Sequence, residues 1–163
     1  MVDWRIPNSE ACLRILRQTP TLLRDLLSPV APEQLDWRPA AGRWSIGMVL
    51  AHLADVEIHG FRSRFEAMLG QDQPLLAAYD QLALFRSGAQ FDARAEMAKF
   101  GEERGVTLTL LSAMPDGAGD RSGRHAEFAF HDLGHTRQIM EIYRSRVFYP
   151  EMGAYQSYYK INP

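Results

Sequence analysis

Only one cysteine, Cys12, stands among the 163 residues, so an intramolecular disulfide is impossible and no CxxC redox pair exists. An excess of one charge is also missing: 18 Lys and Arg against 20 Asp and Glu leave a formal charge of −2. This excludes the strong basic surplus of a general nucleic-acid binder, and no basic stripe interleaved with aromatics stands out. No run of about 18 or more apolar residues could span a bilayer. The opening MVDWRIPNSE lacks the basic flank and apolar core of a signal peptide. Together these absences read as a cytoplasmic protein with neither nucleic acid nor membrane as partner. Strand signals are missing too, since no segment alternates strictly or carries turn-bounded β-branched runs.

What is present is ordinary soluble-globular material, 46% hydrophobic and 23% charged. The length suits one domain, 1–163, which buries roughly 70% of its unfolded surface without disulfides. Four segments carry helical periodicity. In the first, Pro7, Asn8 and Ser9 cap a helix bearing Leu13, Leu16, Leu23 and Leu27. Pro20 inside it removes a backbone donor, so a kink or break is expected near Gln18. Ser28 to Trp44 holds Pro29, Pro32, Pro39 and Gly42 and reads as a structured connection pinned by Trp37 and Trp44.

Ser45 caps the second helix, whose inward stripe is Ile46, Val49, Leu53, Val56 and Gly60, with Gly70 as its stop. A second long connection, Gln71 to Gln90, contains a short apolar piece and suits a lid or crossover. Asp92 caps a third helix through Met97, Phe100, Leu108, Leu111 and Met114, ended by Pro115. A polar turn, Asp116 to Arg124, precedes a fourth helix facing inward through Phe128, Ile139 and Ile142. The tail from Tyr149 to Pro163, with four tyrosines and two prolines, reads as ordered packing. The expected fold is all-α, a four-helix bundle with long first and second connections.

The five histidines, at 52, 59, 125, 131 and 135, are the informative feature. His131 and His135 leave one face of the fourth helix a turn apart, a spacing that can grip a divalent ion and supplies half of a tetrahedral set. His52, at the edge of the second helix's apolar arc, is the best candidate for a third ligand. Three protein ligands leave a coordination position open, as in catalytic sites. The alternative is that all three are ordinary polar residues on helix-face edges, and spacing alone does not choose. The motif is not HExxH, because Asp132 follows His131 and no glutamate occupies the general-base position. His59, seven residues past His52, returns to nearly the same face and could be a fourth ligand, an acid-base group or a solvated residue. His125 suits capping or exposure near a helix start. Asp55, Glu127 and Gln138 are placed to orient an imidazole.

The stretch Glu33 to Glu57, with Trp44-Ser45 followed seven residues later by His52, resembles the second-helix signature of the DinB-like metalloenzyme family. His131-Asp-Leu-Gly-His135-Thr-Arg-Gln-Ile is similar to that family's fourth-helix HxxxH, and the endings Tyr149-Pro-Glu-Met-Gly and Tyr158-Tyr-Lys-Ile-Asn-Pro to its tails. The resemblance implies a four-helix bundle holding a divalent metal, often zinc or nickel, on His52, His131 and His135, and frequently a homodimer. It also implies relatives that are S-transferases and isomerases using low-molecular-weight bacterial thiols such as bacillithiol or mycothiol. The short third connection, Pro115 to Arg124, departs from the longer family members.

Three functions follow for a small-molecule substrate. The first is a metal-dependent thiol S-transferase, with His59 or Asp55 moving a proton and Arg62 or Arg137 holding a carboxylate of the thiol. The second is a metal-dependent hydrolase, for which no convincing general base stands out. The third is a metal- or small-molecule-binding module without turnover.

Overall fold

The computed structural model describes residues 9–70, 75–76, 78–86, 90–114 and 121–161, the side chains of 121 and 122 excepted. Among them every regular element is helical. Helix α1 (Ser9–Leu27) carries Glu10 in its first turn and Arg24 in its last, each complementing the helix dipole. It passes through Pro20 without ending, so the break expected near Gln18 is absent. The proline still has a consequence. Without an N–H at position 20, the Leu16 carbonyl loses its helical donor, and Nη1 of Arg104 donates to it instead at 2.8 Å.

The first connection contains a one-turn helix, α2 (Pro32–Leu35), and the left-handed Gly42 (φ 76°), a conformation glycine adopts without steric cost. The second rod follows as three consecutive pieces: α3 (Ile46–Val56), a π-helical stretch Glu57–Arg62, and α4 (Ser63–Gly70). Ser45 caps it as expected, its hydroxyl accepting from the Met48 N–H at 3.2 Å. The predicted stripe from Ile46 to Gly60 is buried throughout. Within the second connection lies the short α5 (Ala83–Arg86). Helix α6 (Ala93–Ala113) starts at Asp92, whose carboxylate accepts from the N–H groups of Arg94 and Ala95.

Helix α7 (Arg121–Tyr143) begins inside the stretch expected to be a polar turn; residues 115–120 lie outside the described residues. His125, expected at a cap or on the surface, is instead fully buried, its ring 6.5 Å from that of Phe65. The tail continues as a π-helical stretch, Arg144–Phe148, and two short 3₁₀ pieces within Tyr149–Tyr158, separated by a kink at Gly153 (φ 54°). It is helical on both sides of that kink, yet Tyr155, Tyr158 and Tyr159 stay exposed, so burial of those rings does not order it.

Helix α1 packs between α6 and α7, and so does α3. The two consecutive rods α1 and α3 therefore face each other across the bundle, a crossing that the long first connection makes possible. The core falls into two apolar clusters. One holds Leu23, Leu27, Val49, Leu53, Phe100 and Ile139; the other holds Leu16, Val56, Phe61, Phe65, Leu111 and Phe128. Between them in every rod lies a polar layer, and the site belongs to that layer. No described helix is long and apolar enough to cross a membrane.

Candidate metal centre

His52 projects from α3, and His131 and His135 from successive turns of α7. Neither helix has a backbone irregularity at these positions, so the pair's convergence follows from the four-residue spacing. Nε2 of His52 and Nε2 of His131 are 3.2 Å apart, and one nitrogen from each of the three rings lies within 4.8 Å of the others. Two nitrogens bound at 2.0–2.1 Å to a tetrahedral ion stand about 3.3 Å apart, so the spacing already matches a coordination edge. Nδ1 of His135 meets Oε1 of Gln138 at 3.0 Å, which leaves its Nε2 for the shared space. Gln138 thus orients one imidazole, as its position suggested.

The surroundings keep the rings neutral. Burial is the main cause for each: it brings His52 down to about 4 and His131 down to about 3, and lowers His135. Neighbouring imidazoles and, for His131, the Arg104 guanidinium reinforce the effect. Neutral imidazole is the ligating form. The shell is aromatic: Trp44 lies parallel to His135 with centroids 6.1 Å apart, Phe61 meets His131 edge-on at 5.3 Å, and Tyr79 flanks His52 at 5.9 Å. Three neutral imidazoles converge within this shell, and the chemistry of the donor set fits a divalent cation.

His131 and His135 form part of the wall of a cavity of about 780 Å³ between α7 and the first connection, with Trp37, Trp44, Phe61 and Ile142 as apolar lining. Its charged lining groups are Arg43, Arg137, Glu127 and Glu141. The carboxylates are committed elsewhere. Glu127 pairs with Arg64 at 3.5 Å and Arg124 at 3.9 Å, and Glu141 pairs with Arg144 at 2.6 Å.

The remaining sequence candidates are spread around this centre. Asp55 accepts a 2.6 Å hydrogen bond from the Tyr79 hydroxyl. Burial and that carboxylate together raise the tyrosine's pKa. His59, with 65% of its side chain exposed, lies 3.8 Å from Asp55 and outside the trio. Its turn is π-helical, so seven residues no longer return to the face of His52. Arg62 pairs with Glu103 at 2.6 Å, whereas Arg137 is exposed on the cavity wall.

Sequence reasoning missed Tyr79 and the buried group beneath the imidazoles. Arg104, 1% exposed, donates to both oxygens of Asp132 (2.8 and 2.9 Å) and through Nε to Glu57 at 2.7 Å. Burial holds the Glu57 carboxyl above its ordinary value against the pull of Arg104. For Arg104 itself, burial acts downward, but Asp132 and Glu57 more than offset it and raise its pKa. The available signal was a charge on an inward stripe: Arg104 falls between Phe100 and Leu111 at core spacing.

A family model for the DinB superfamily matches residues 15–141. The chain belongs to the DinB superfamily. Among relatives of this DinB chain, the Bacillus subtilis (strain 168) protein named "Putative metal-dependent hydrolase YfiT" is 23% identical over 147 residues, covering 81% of this chain and 82% of that one. A Bacillus licheniformis protein whose name carries the same description is 35% identical over 66 residues, 40% of this chain and 37% of that one. The solved structure of YfiT, described as having an unusual four-helix bundle topology, superposes with a TM-score of 0.72 at 21% identity, covering 89% of this chain and 92% of that one. The bundle fold of this DinB member is thereby shared.

Proposed function

We propose that His52, His131 and His135 hold a divalent cation, zinc or nickel, and that the protein transfers the sulfur of a low-molecular-weight thiol to an electrophilic carbon. The observation that carries this reading is the set of three neutral imidazoles that meet, two of them on the wall of an open cavity. A cation bound there would act as a Lewis acid, lowering the pKa of a thiol or water at its open position. The protein's own groups do the rest. Trp44, Phe61 and Ile142 exclude water from the apolar part of the substrate, and Arg137, exposed on the same wall, holds a carboxylate of the thiol. In the balanced reaction a C–S bond forms, the carbon's leaving group departs, and the thiol proton passes through Asp55 and the exposed His59 to solvent.

Hydrolysis is the second reading, supported by the names of the relatives. It too needs a proton acceptor, since a carboxylate or imidazole must take a proton from attacking water. Asp132, Glu127 and Glu141 are each tied to an arginine, which leaves the Asp55–His59 pair of the transfer route for this task. The test begins with elemental analysis of untagged protein purified without added metal. It continues by comparing metal-loaded and metal-free protein for alkylation of bacillithiol or mycothiol by a small electrophile. Metal-dependent thiol consumption supports transfer; turnover of an ester or amide without thiol supports hydrolysis; no stoichiometric metal refutes both.

A further inference from the structure

All four rods of the bundle meet at one guanidinium. Arg104 belongs to α6. Its Nη1 reaches the Leu16 carbonyl of α1, the carbonyl that Pro20 leaves without a helical donor. Nε and Nη2 hold Glu57, the first residue of the π-helical stretch and five residues past His52. Nη1 and Nη2 grip Asp132 of α7, the residue next to His131, by both oxygens. The rings of Phe100 and Phe128 cover the guanidinium at 4.9 and 4.6 Å and shield it from bulk solvent.

We propose that Arg104 is a positioning residue for the imidazole trio, a planar cross-brace that sets α7 against the second rod so that His131 stands opposite His52. The physical reason lies in helix geometry. Successive residues on an α-helix point about 100° apart. Fixing Asp132 inward on a bidentate pair therefore fixes the rotation of α7, and with it the direction of His131 and His135. The same plane anchors Glu57, so both ligand-bearing rods are referred to a single rigid group. Arginine alone among side chains offers five donors in one plane, and a lysine ammonium could not serve the two carboxylates and the carbonyl together. Apolar packing resists separation of the rods, but it tolerates small rotations that a coordination site does not.

The test separates position from stability. Replacing the whole group by apolar side chains, Arg104→Met with Glu57→Leu and Asp132→Leu, removes the buried charges together, a change that commonly leaves a fold intact or more stable. The expected result is a folded protein whose zinc affinity, from competition with a chromophoric chelator, falls about tenfold or more. Its cobalt-substituted spectrum should change, and its metal-free crystal structure should show the Nε2 atoms of His52 and His131 moved from 3.2 Å by about 1 Å. Arg104→Lys should fall between the two. If the triple variant fails to fold, Asp132→Asn, which keeps the shape and one acceptor, is read by the same three measurements. The affinity readout presupposes the metal reading above, whereas the interatomic distance does not. Wild-type protein that binds no zinc refutes the metal site and leaves the crystal distance to decide on Arg104. A folded variant with unchanged distance, or with unchanged affinity where the wild type binds, overturns the positioning role.

Discussion

Removing Arg104 alone should be far more damaging than removing the whole buried group. In Arg104→Met, Glu57 and Asp132 stay at 0% exposure with no guanidinium between them. Breaking such a buried arrangement by one partner costs about 3–5 kcal/mol, a large part of a typical stability of roughly 5–15 kcal/mol. At roughly 2–4 °C per kcal/mol for a domain of this size, the midpoint should drop by about 6–20 °C. The pH dependence identifies the cause. Without Arg104 nothing offsets the burial that already raises the Glu57 carboxyl, so the native variant binds more protons than its unfolded chain. Its stability is then greatest below the unfolded carboxyl pKa and is lost as pH rises through the raised value. The deficit relative to wild type should be full at pH 7.5 and smaller at pH 5. Loss of Arg104 also relieves His131 of one of the charges that lower it, and this acts in the same direction, shrinking the deficit as pH falls. Urea unfolding at the two pH values measures this. A deficit that stays constant or grows on acidification would refute the account of Arg104 as the counter-charge to these carboxylates.

Three other outcomes are expected. His131→Ala should lose stoichiometric metal by elemental analysis, while His59→Ala, outside the trio, should keep it. Zinc binding at pH 6 should release about one proton or fewer from the imidazoles, where three of ordinary pKa would release about 2.3. Burial lowers His52 to about 4 and His131 to about 3, so the folded protein has shed those protons before metal arrives. By the same sign, the stability these neutral rings allow is intact above about 6.5 and lost as pH falls toward those values. Calorimetry in buffers of different ionisation enthalpy counts the protons, and two or more would contradict the neutral trio. Gly60→Ala should destabilise the protein by about 1–2 kcal/mol in a chemical denaturation series, because the new methyl collides with the Val56 side chain. Alanine's helix propensity returns only about 1 kcal/mol, and buried, β-branched Val56 has little room to turn.

Much of the molecule was legible before any coordinates. The caps at Ser45 and Asp92, the buried stripe from Ile46 to Gly60 and the placement of His131 and His135 on one helical face follow from local rules. Hydrogen-bonding to the first free N–H groups and a 3.6-residue repeat act over a few positions of the chain. His59 shows where such rules stop: its face depended on the helix staying α, and the turn at Glu57–Arg62 is π-helical. Pro20 shows the same limit from the other side. Its lost hydrogen bond was foreseeable, but the donor that replaces it sits 88 residues away in sequence. Sequence alone determined four amphipathic rods and which imidazoles could face inward. Only the tertiary structure decided that His52 meets the pair across the bundle, that His125 lies in the core, and that Arg104 ties all four rods together. Those outcomes depend on how rods pack, and the rotation of one helix against another is set by contacts between residues far apart along the chain.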